Sequence, residues 1–283
     1  VRRWQLVAAL KELRDQAGLT QNEAMDRLTQ GQGRWSRSKL SRLENREHNI
    51  KPREVDQLLD AYRVTDPKVR HALVELASSA GERGWWESYE RNLPEWWRPL
   101  LSLETGLVGL RDFQNQLVHG LLQTADYARA LATSISPGVL SPAELERRIA
   151  VRMARQQILT KDSPPRLHFI LDETILQRPV GDRVVMHDQM RKLVQATENS
   201  NVTIQLLPRE AGGTPGLDGP FSVLTLPEPI PDIGYTEGAA GVLYIEDRDQ
   251  VRRWTLRFGI LTQQALPRQQ SIEMITEAMR SFQ

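Results

Sequence analysis

A short, strongly basic helix pattern near the amino terminus constrains this sequence more than any other feature. Residues 35–46 read WSRSKLSRLENR, in which Leu40 and Leu43 stand three positions apart, as residues on one buried helix face do. Residues 34–53 carry seven Lys or Arg against two Asp or Glu, although the whole chain has a net charge of only +1. Such a helix indicates either an ordinary solvated surface or a polyanionic partner.

Flanking patterns place this helix inside a small all-α domain. Gly18 fits a helix stop, and Thr20 followed by Glu23 is the signature of a capping box that starts the next helix. Pro52 suits the first turn of a later helix. The predicted helices cover residues 4–17, 20–28, 36–45, 52–64 and 66–79.

Two helices joined by a turn, the second of them basic, have the arrangement of a helix-turn-helix. The major groove of B-DNA is about 12 Å wide and admits one α-helix. Leu40 and Leu43 would face the core of the domain, while Arg37, Ser38 and Arg42 lie on faces that can reach DNA. We therefore predict binding to double-stranded DNA; the alternatives are a protein-interaction module or an RNA-binding module.

The segments LTQNEAMDRL and SRSKLSRLENR, with the proline-started fourth helix, resemble the lambda-repressor-like, or xenobiotic-response-element, DNA-binding domain over about residues 6–64. The resemblance implies a buried salt bridge between Arg14 and Glu44. It implies base contacts from Arg37, Ser38 and Arg42. It implies contacts to the DNA backbone from Gln21, Asn45 and Arg53. From their charge and position we expect further phosphate contacts from Arg34, Lys39 and Arg46.

The turn before the recognition helix departs from this family. Eleven residues separate Leu28 from Leu40, so the turn is longer than the family's. Ala24 precedes Met25 where the family favours Leu and then Ala, and a bulkier side chain there would push the third helix outward. We interpret Trp35 as a hydrophobic cover on the extended turn.

The rest of the chain predicts a second, mixed α/β or α+β domain, so that the whole is a multidomain protein. We place the first domain at residues 1–80, a tryptophan-rich connector at 81–100 and the regulatory or dimerisation domain at 101–283. Four β-rich runs stand in the second domain: RLHFIL, NVTIQLL, FSVLTL and GVLYIE. Helices are predicted at about residues 124–135, 141–160, 183–198, 247–266 and 268–281. The pattern does not settle whether the strands are parallel.

No catalytic pattern rises above background in the second domain. The five histidines have no metal-binding spacing. Asp172 and Glu173 end a predicted strand, but neighbouring strand residues point to opposite faces and do not form an acid/base pair. The glycine-rich segment 212–219 could hold a ligand, although a long connection between strands is the simpler interpretation. We expect no enzyme activity, no metal and no cofactor.

Five long segments of the second domain resemble, in order and spacing, the antitoxin-type carboxy-terminal domain of a group of actinomycete transcriptional regulators. They begin at LVHGLLQTADYARAL and end at YTEGAAGVLYIEDRDQVRRWTLRFGILTQQAL. The resemblance implies a regulator, often encoded beside a small acidic partner protein. We expect a homodimer, since a helix-turn-helix reads two-fold half-sites, and a signal that is a small protein or a small-molecule effector. The alternatives are the antitoxin of a toxin–antitoxin-like pair and an enzyme with a DNA-targeting module.

Composition also predicts a location. The chain has no cysteine, and no apolar run approaches the roughly 20 residues that a membrane span needs. Charged residues interrupt the apolar patch near the amino terminus, so we expect no signal peptide. These features predict a cytoplasmic, nucleoid-associated protein with no membrane partner.

Overall fold

The computed structural model describes residues 2–30, 34–44, 50–79, 97–135, 137–228, 230–238 and 241–283. The chain divides into two compact units, Val1–Trp85 with Leu226–Pro231 and Trp86–Thr225 with Asp232–Gln283. Most of the predicted tryptophan-rich connector lies outside the described residues, which resume at Trp97.

The first unit is all-helical over its described amino-terminal part. Its helices are α1 (Arg2–Gln16), α2 (Gln21–Thr29), α3 (Arg37–Glu44), α4 (Pro52–Ala61) and α5 (Pro67–Ser79). Gly18 has a φ of +67°, the left-handed conformation that ends a helix and favours glycine. Thr20 caps α2 through a complete capping box with Glu23. The helix boundaries predicted from caps and periodicity are therefore confirmed to within a few residues.

Leucines from different helices form the core of this first unit. Leu6, Leu10, Leu40, Leu43 and Leu58 are each at most 1% exposed. Burying one such side chain contributes roughly 1.5–3 kcal/mol relative to leaving it in water. The apolar face of α3 is therefore held in the domain core, which leaves its other faces to solvent.

The second unit is built on a six-stranded mixed sheet, as the predicted fold class requires. The strands are β1 (Gly109–Gln114), β2 (Arg166–Asp172), β3 (Val202–Leu207), β4 (Phe221–Thr225), β5 (Ile233–Gly238) and β6 (Gly241–Ile245). They lie in the order β3-β2-β1-β4-β5-β6. β1 pairs in parallel with β2, and β2 with β3, whereas β4, β5 and β6 add in antiparallel fashion. Of the six, β1 and β5 were not predicted from the sequence.

Helices complete the second unit. They are α6 (Trp97–Thr105), α7 (Ala125–Ile135), α8 (Pro142–Arg155), α9 (Thr174–Gln177), α10 (Arg183–Ala196), α11 (Arg248–Gln264) and α12 (Arg268–Ser281). Helix α11 packs through Phe258 and Leu261 onto the sheet face that carries Phe113 and Val223. The opposite face carries Asp112 and Phe169. No helix within the described ranges is long and apolar enough to cross a membrane.

Candidate nucleic-acid interface

Helix α3 separates its side chains as a DNA-reading helix must. Ser36 Oγ accepts the Lys39 backbone N–H at 3.2 Å and so caps the helix start. Leu40 and Leu43 are each 1% exposed, whereas Arg37, Ser38 and Arg42 are exposed. The three side chains that the resemblance assigns to bases therefore lie on the solvent side of α3.

The start of α2 and the start of α3 form one surface. A groove of about 270 Å³ lies between them. Its lining residues are Gln21, Asn22, Arg37, Ser38, Leu40 and Ser41. Gln21, predicted to contact a phosphate, thus lies beside Arg37 and Ser38, predicted to read bases.

A buried ion pair joins α1 to the end of α3. Arg14 Nε lies 2.8 Å from Glu44 Oε1, and their side chains are 9% and 6% exposed. Arg14 Nη1 also donates to the Leu19 carbonyl at 2.5 Å and lies 2.9 Å from Asp15 Oδ1. Burial alone would lower the pKa of Arg14, but the hydrogen bond to Glu44 and its negative charge raise that pKa above the ordinary value. The pairing agrees with the one that the resemblance implies.

Glu44 also orients Gln21, a contact that sequence reasoning missed. Gln21 Nε2 donates to Glu44 Oε2 at 2.6 Å. The amide of Gln21 is exposed, so it can meet a phosphate while one N–H is held by the carboxylate. Arg14, Glu44 and Gln21 therefore form one network that links α1, α2 and α3 at the groove.

Lys39 makes contacts within its own domain that the sequence did not predict. The sequence predicted that its ammonium contacts the DNA backbone. In the structure, Lys39 Nζ lies 2.5 Å from Glu54 Oε1 and 4.6 Å from the centre of the Trp35 ring. Its side chain is only 19% exposed. The ion pair and the aromatic face hold this charge against α4, and the contact of Lys39 with the DNA backbone stays a prediction.

The remaining predicted contacts divide by position. Arg34 and Arg53 are exposed. Asn45 and Arg46 lie outside the described residues. Trp35 is half-buried, as expected of a cover, and its Nε1–H also donates to Gln57 Oε1 at 2.8 Å. The sequence gave no sign of this hydrogen bond.

A buried polar cluster in the second unit also escaped sequence reasoning. Asp112, on the central strand β1, is fully buried and accepts from Ser222 Oγ at 2.6 Å and from Gln114 Nε2 at 3.0 Å. His119 Nε2 lies 3.9 Å from Asp112 Oδ1, and His119 Nδ1 accepts the Leu121 N–H. Burial raises the pKa of Asp112 to about 7 although both hydrogen bonds oppose the shift, and burial lowers the pKa of His119 to about 3.

Two arginines of α8, Arg152 and Arg155, lie near His119. Arg155 forms a buried, two-point ion pair with Glu104, at 2.8 and 2.5 Å. Arg152 donates to Gln123 Oε1 at 2.5 Å, and both guanidinium groups lie within 6 Å of the Trp97 ring centre. The described residues contain no group of three or more acidic, His or Cys side chains that could hold a metal ion.

Comparison with known families decides the assignment of the second unit. Residues 97–277 match the family described as Domain of unknown function (DUF5753). The chain belongs to the DUF5753 family. Residues 5–73 of this DUF5753 chain match a family described as Helix-turn-helix domain. No curated protein and no solved structure matches the chain.

The helix-turn-helix match confirms the predicted class of the first domain and indicates DNA binding of the kind found in transcriptional regulators. The match begins within α1, at residue 5, and ends within α5, at residue 73. The DUF5753 description gives the second domain no role. The antitoxin-type assignment of that domain therefore stays a prediction.

Proposed function

We propose that this DUF5753 protein is a sequence-specific, DNA-binding transcriptional regulator of the lambda-repressor-like type, with α3 lying in the major groove. One observation carries the proposal: α3 buries Leu40 and Leu43 while Arg37, Ser38 and Arg42 stay exposed beside Gln21. A helix arranged in this way can present hydrogen-bond donors to base edges without exposing its apolar face.

The spacing of the two arginines supports readout of nearby bases. Arg37 and Arg42 stand five residues apart on a continuous helix, which is about 7.5 Å along its axis. Successive bases on one strand are about 3.4 Å apart, so the two side chains can reach bases about two steps apart. Each bidentate arginine–guanine contact contributes roughly 1–3 kcal/mol of discrimination.

The second domain is proposed to dimerise the protein and to bind the signal. A dimer would place two copies of α3 on half-sites about one helical turn apart. The signal would be a small acidic partner protein or a small molecule. Sedimentation of the full chain with and without an operator duplex would test the dimer, because a two-fold site requires two chains per duplex.

We propose no catalytic role for the second domain. A serine nucleophile needs a base within hydrogen-bond reach. Ser222 Oγ does donate to Asp112, but the two residues are only 3% and 0% exposed, so a substrate cannot reach the hydroxyl, and Nδ1 of His119 is occupied by the Leu121 N–H. This arrangement favours a structural polar cluster over a hydrolytic site. Retention of DNA binding and regulation in a Ser222→Ala variant that still folds would agree with that interpretation.

Arginine substitutions on α3 test the DNA-binding proposal. A preferred duplex is first selected from a random library with the full chain, and fluorescence anisotropy then compares it with a scrambled duplex. We expect Arg37→Ala and Arg42→Ala each to weaken binding to the selected duplex by about tenfold or more, with a smaller effect on the scrambled one. Gln21→Ala should weaken both duplexes similarly, since a phosphate contact carries no sequence information.

Lys68→Met is the matched control, because it removes one exposed positive charge from α5. It should leave the ratio of the two affinities unchanged. If the double arginine variant keeps the full preference for the selected duplex, α3 is not the recognition helix.

A further inference from the structure

We infer that Trp35, Lys39, Glu54 and Gln57 form a latch that fixes the recognition helix against α4 and thereby sets how well the protein separates its operator from other DNA. We call these four residues the α4 latch. The inference rests on the proposed function, since it concerns how the same helix is positioned on DNA.

Two direct contacts close the α4 latch. The indole Nε1–H of Trp35 donates to Gln57 Oε1 at 2.8 Å. The Lys39 ammonium lies 2.5 Å from Glu54 Oε1, with both side chains 19% exposed. The same ammonium lies 4.6 Å from the centre of the Trp35 ring and 3.4 Å from the Arg34 carbonyl oxygen. The turn, the first helical turn of α3 and the start of α4 are thus tied at one point.

Helix α4 offers a rigid surface for the latch. Glu54 Oε2 accepts the Lys51 N–H at 2.8 Å, so one carboxylate both caps α4 and holds Lys39. Gln57 follows three residues later and therefore lies on the same face of the helix. Arg53, next to Glu54, is exposed and is proposed to contact a phosphate. The latch therefore fixes the position of α3 relative to this phosphate contact.

The Arg14–Glu44 ion pair holds the carboxyl end of α3, whereas the amino end follows a long turn and is the end that the latch holds. Helix α3 has only eight residues and buries two side chains, Leu40 and Leu43. A long connection leaves a short helix free to shift unless other contacts hold it. Base contacts require side chains held to within about 0.5 Å, whereas attraction to phosphates tolerates looser geometry. Loss of the latch should therefore reduce the preference for the operator more than the general affinity for DNA.

Glu54→Gln separates this inference from the simpler view that Lys39 is a phosphate-binding cation. The substitution removes one negative charge and releases Lys39, so general electrostatics predicts tighter binding to every duplex. Glutamine at the third helical position can still accept the Lys51 N–H through its side-chain oxygen, so α4 keeps this cap. If the latch positions α3, operator binding weakens even though the domain becomes more positive.

The experiment measures anisotropy of the full chain with the selected operator and with a scrambled duplex of equal length. For Glu54→Gln we expect the operator Kd to rise about tenfold while the scrambled Kd stays unchanged or falls. Glu75→Gln, at an exposed site on α5, makes the same change in net charge and should shift both Kd values equally. Trp35→Phe keeps the ring but loses the N–H bonded to Gln57, and should lower the operator preference severalfold. Lys39→Arg keeps the ion pair with Glu54 and should retain most of the operator preference.

Thermal melting of each variant in the absence of DNA shows whether the variant is folded. If Glu54→Gln is not folded, Trp35→Phe takes its place as the test. If Glu54→Gln, or Trp35→Phe in its place, leaves the ratio of the two affinities unchanged, the latch is wrong and the proposed function still stands. If the wild-type chain itself does not distinguish operator from scrambled duplex, the proposed function fails.

Discussion

Asp112→Asn is the most informative test of the second domain, because it removes one buried ionisable group and preserves the side-chain shape. Asp112 Oδ1 accepts from Ser222 and Gln114, while Oδ2 has no hydrogen-bond partner among the residues that the structure describes. Asparagine can still accept the Ser222 hydroxyl through its remaining oxygen. The substitution therefore changes mainly the ability of this position to ionise.

The sign of the pH effect follows from two shifted pKa values. Burial raises the pKa of Asp112 from 3.8 to about 7, so the folded chain holds a proton that the unfolded chain releases between those pH values. The contribution of Asp112 to stability therefore falls as pH rises through that window, by on the order of 4 kcal/mol in total.

His119 acts in the opposite direction. Burial, with the nearby charges of Arg155 and Arg152, lowers its pKa from 6.5 to about 3. The unfolded chain takes up a proton there that the folded chain refuses, so the contribution of His119 to stability rises with pH between those values. In the wild-type protein the two contributions oppose each other between about pH 4 and pH 6.5, and the net dependence there should be weak.

In the Asp112→Asn variant, the pH dependence of stability should show the contribution of His119 without the opposing contribution of Asp112. We expect the stability of the variant to rise with pH between about 4 and 6.5, and above pH 7 to exceed that of the wild type by a few kcal/mol. Urea unfolding, monitored by hydrogen exchange of the amides in β1 peptides, measures the stability of the second unit by itself.

The control is Asp162→Asn, the same chemical change at an exposed position. Its stability profile should run parallel to that of the wild type. A parallel profile for Asp112→Asn as well would refute the reasoning, since it would mean that Asp112 does not hold a proton in the folded state.

Two further substitutions test packing and charge. Glu44→Gln leaves the buried Arg14 without its main carboxylate and should lower the unfolding free energy of the first domain by about 3 kcal/mol in urea, compared with no loss for exposed Asp26→Asn. Gly216→Ala would bring a Cβ to 2.3 Å from the buried Phe113 ring and should cost the second unit about 1–3 kcal/mol or more. Gly213→Ala, with no atom within 4 Å of the new Cβ, should cost little, and equal losses for the two glycines would contradict the packing argument.

Local signals explain which elements could be predicted from the sequence. The capping box at Thr20 and Glu23, the stop at Gly18 and the proline at the start of α4 depend on residues within one turn of each other. These elements lie in the structure where the sequence predicts them. The four apolar β runs are also local patterns, and all four correspond to strands.

The central strand β1 was missed because its stability depends on distant residues. Its sequence GLRDFQ places Arg111 and Asp112 in the middle, which is not a strand pattern. Arg111 Nη2 lies 2.5 Å from Asp232 Oδ2, and Asp112 bonds Ser222 across the ladder to β4. Both partners stand more than 100 residues later, so nothing near β1 in the sequence shows that its charges are compensated. Strand β5, IGYTEG, was missed because glycine and polar residues weaken its pattern.

The same limit applies to the candidate interface, where the sequence did not predict the contacts that Lys39 makes within its domain. Sequence shows that residues 34–53 are basic, but it does not show which charge is compensated within the domain. The carboxylate of Glu54, on α4, forms an ion pair with Lys39. In the sequence, Glu54 comes directly after that basic segment. Arg37 and Arg42, in contrast, remain exposed on α3. In our proposal the positive charge divides between two tasks: Lys39 helps to hold α3 in place, and the exposed arginines contact DNA. For this reason a count of basic residues overstates the number of DNA contacts. The salt dependence of operator binding should accordingly be unaffected by Lys39→Met but reduced by Arg53→Ala.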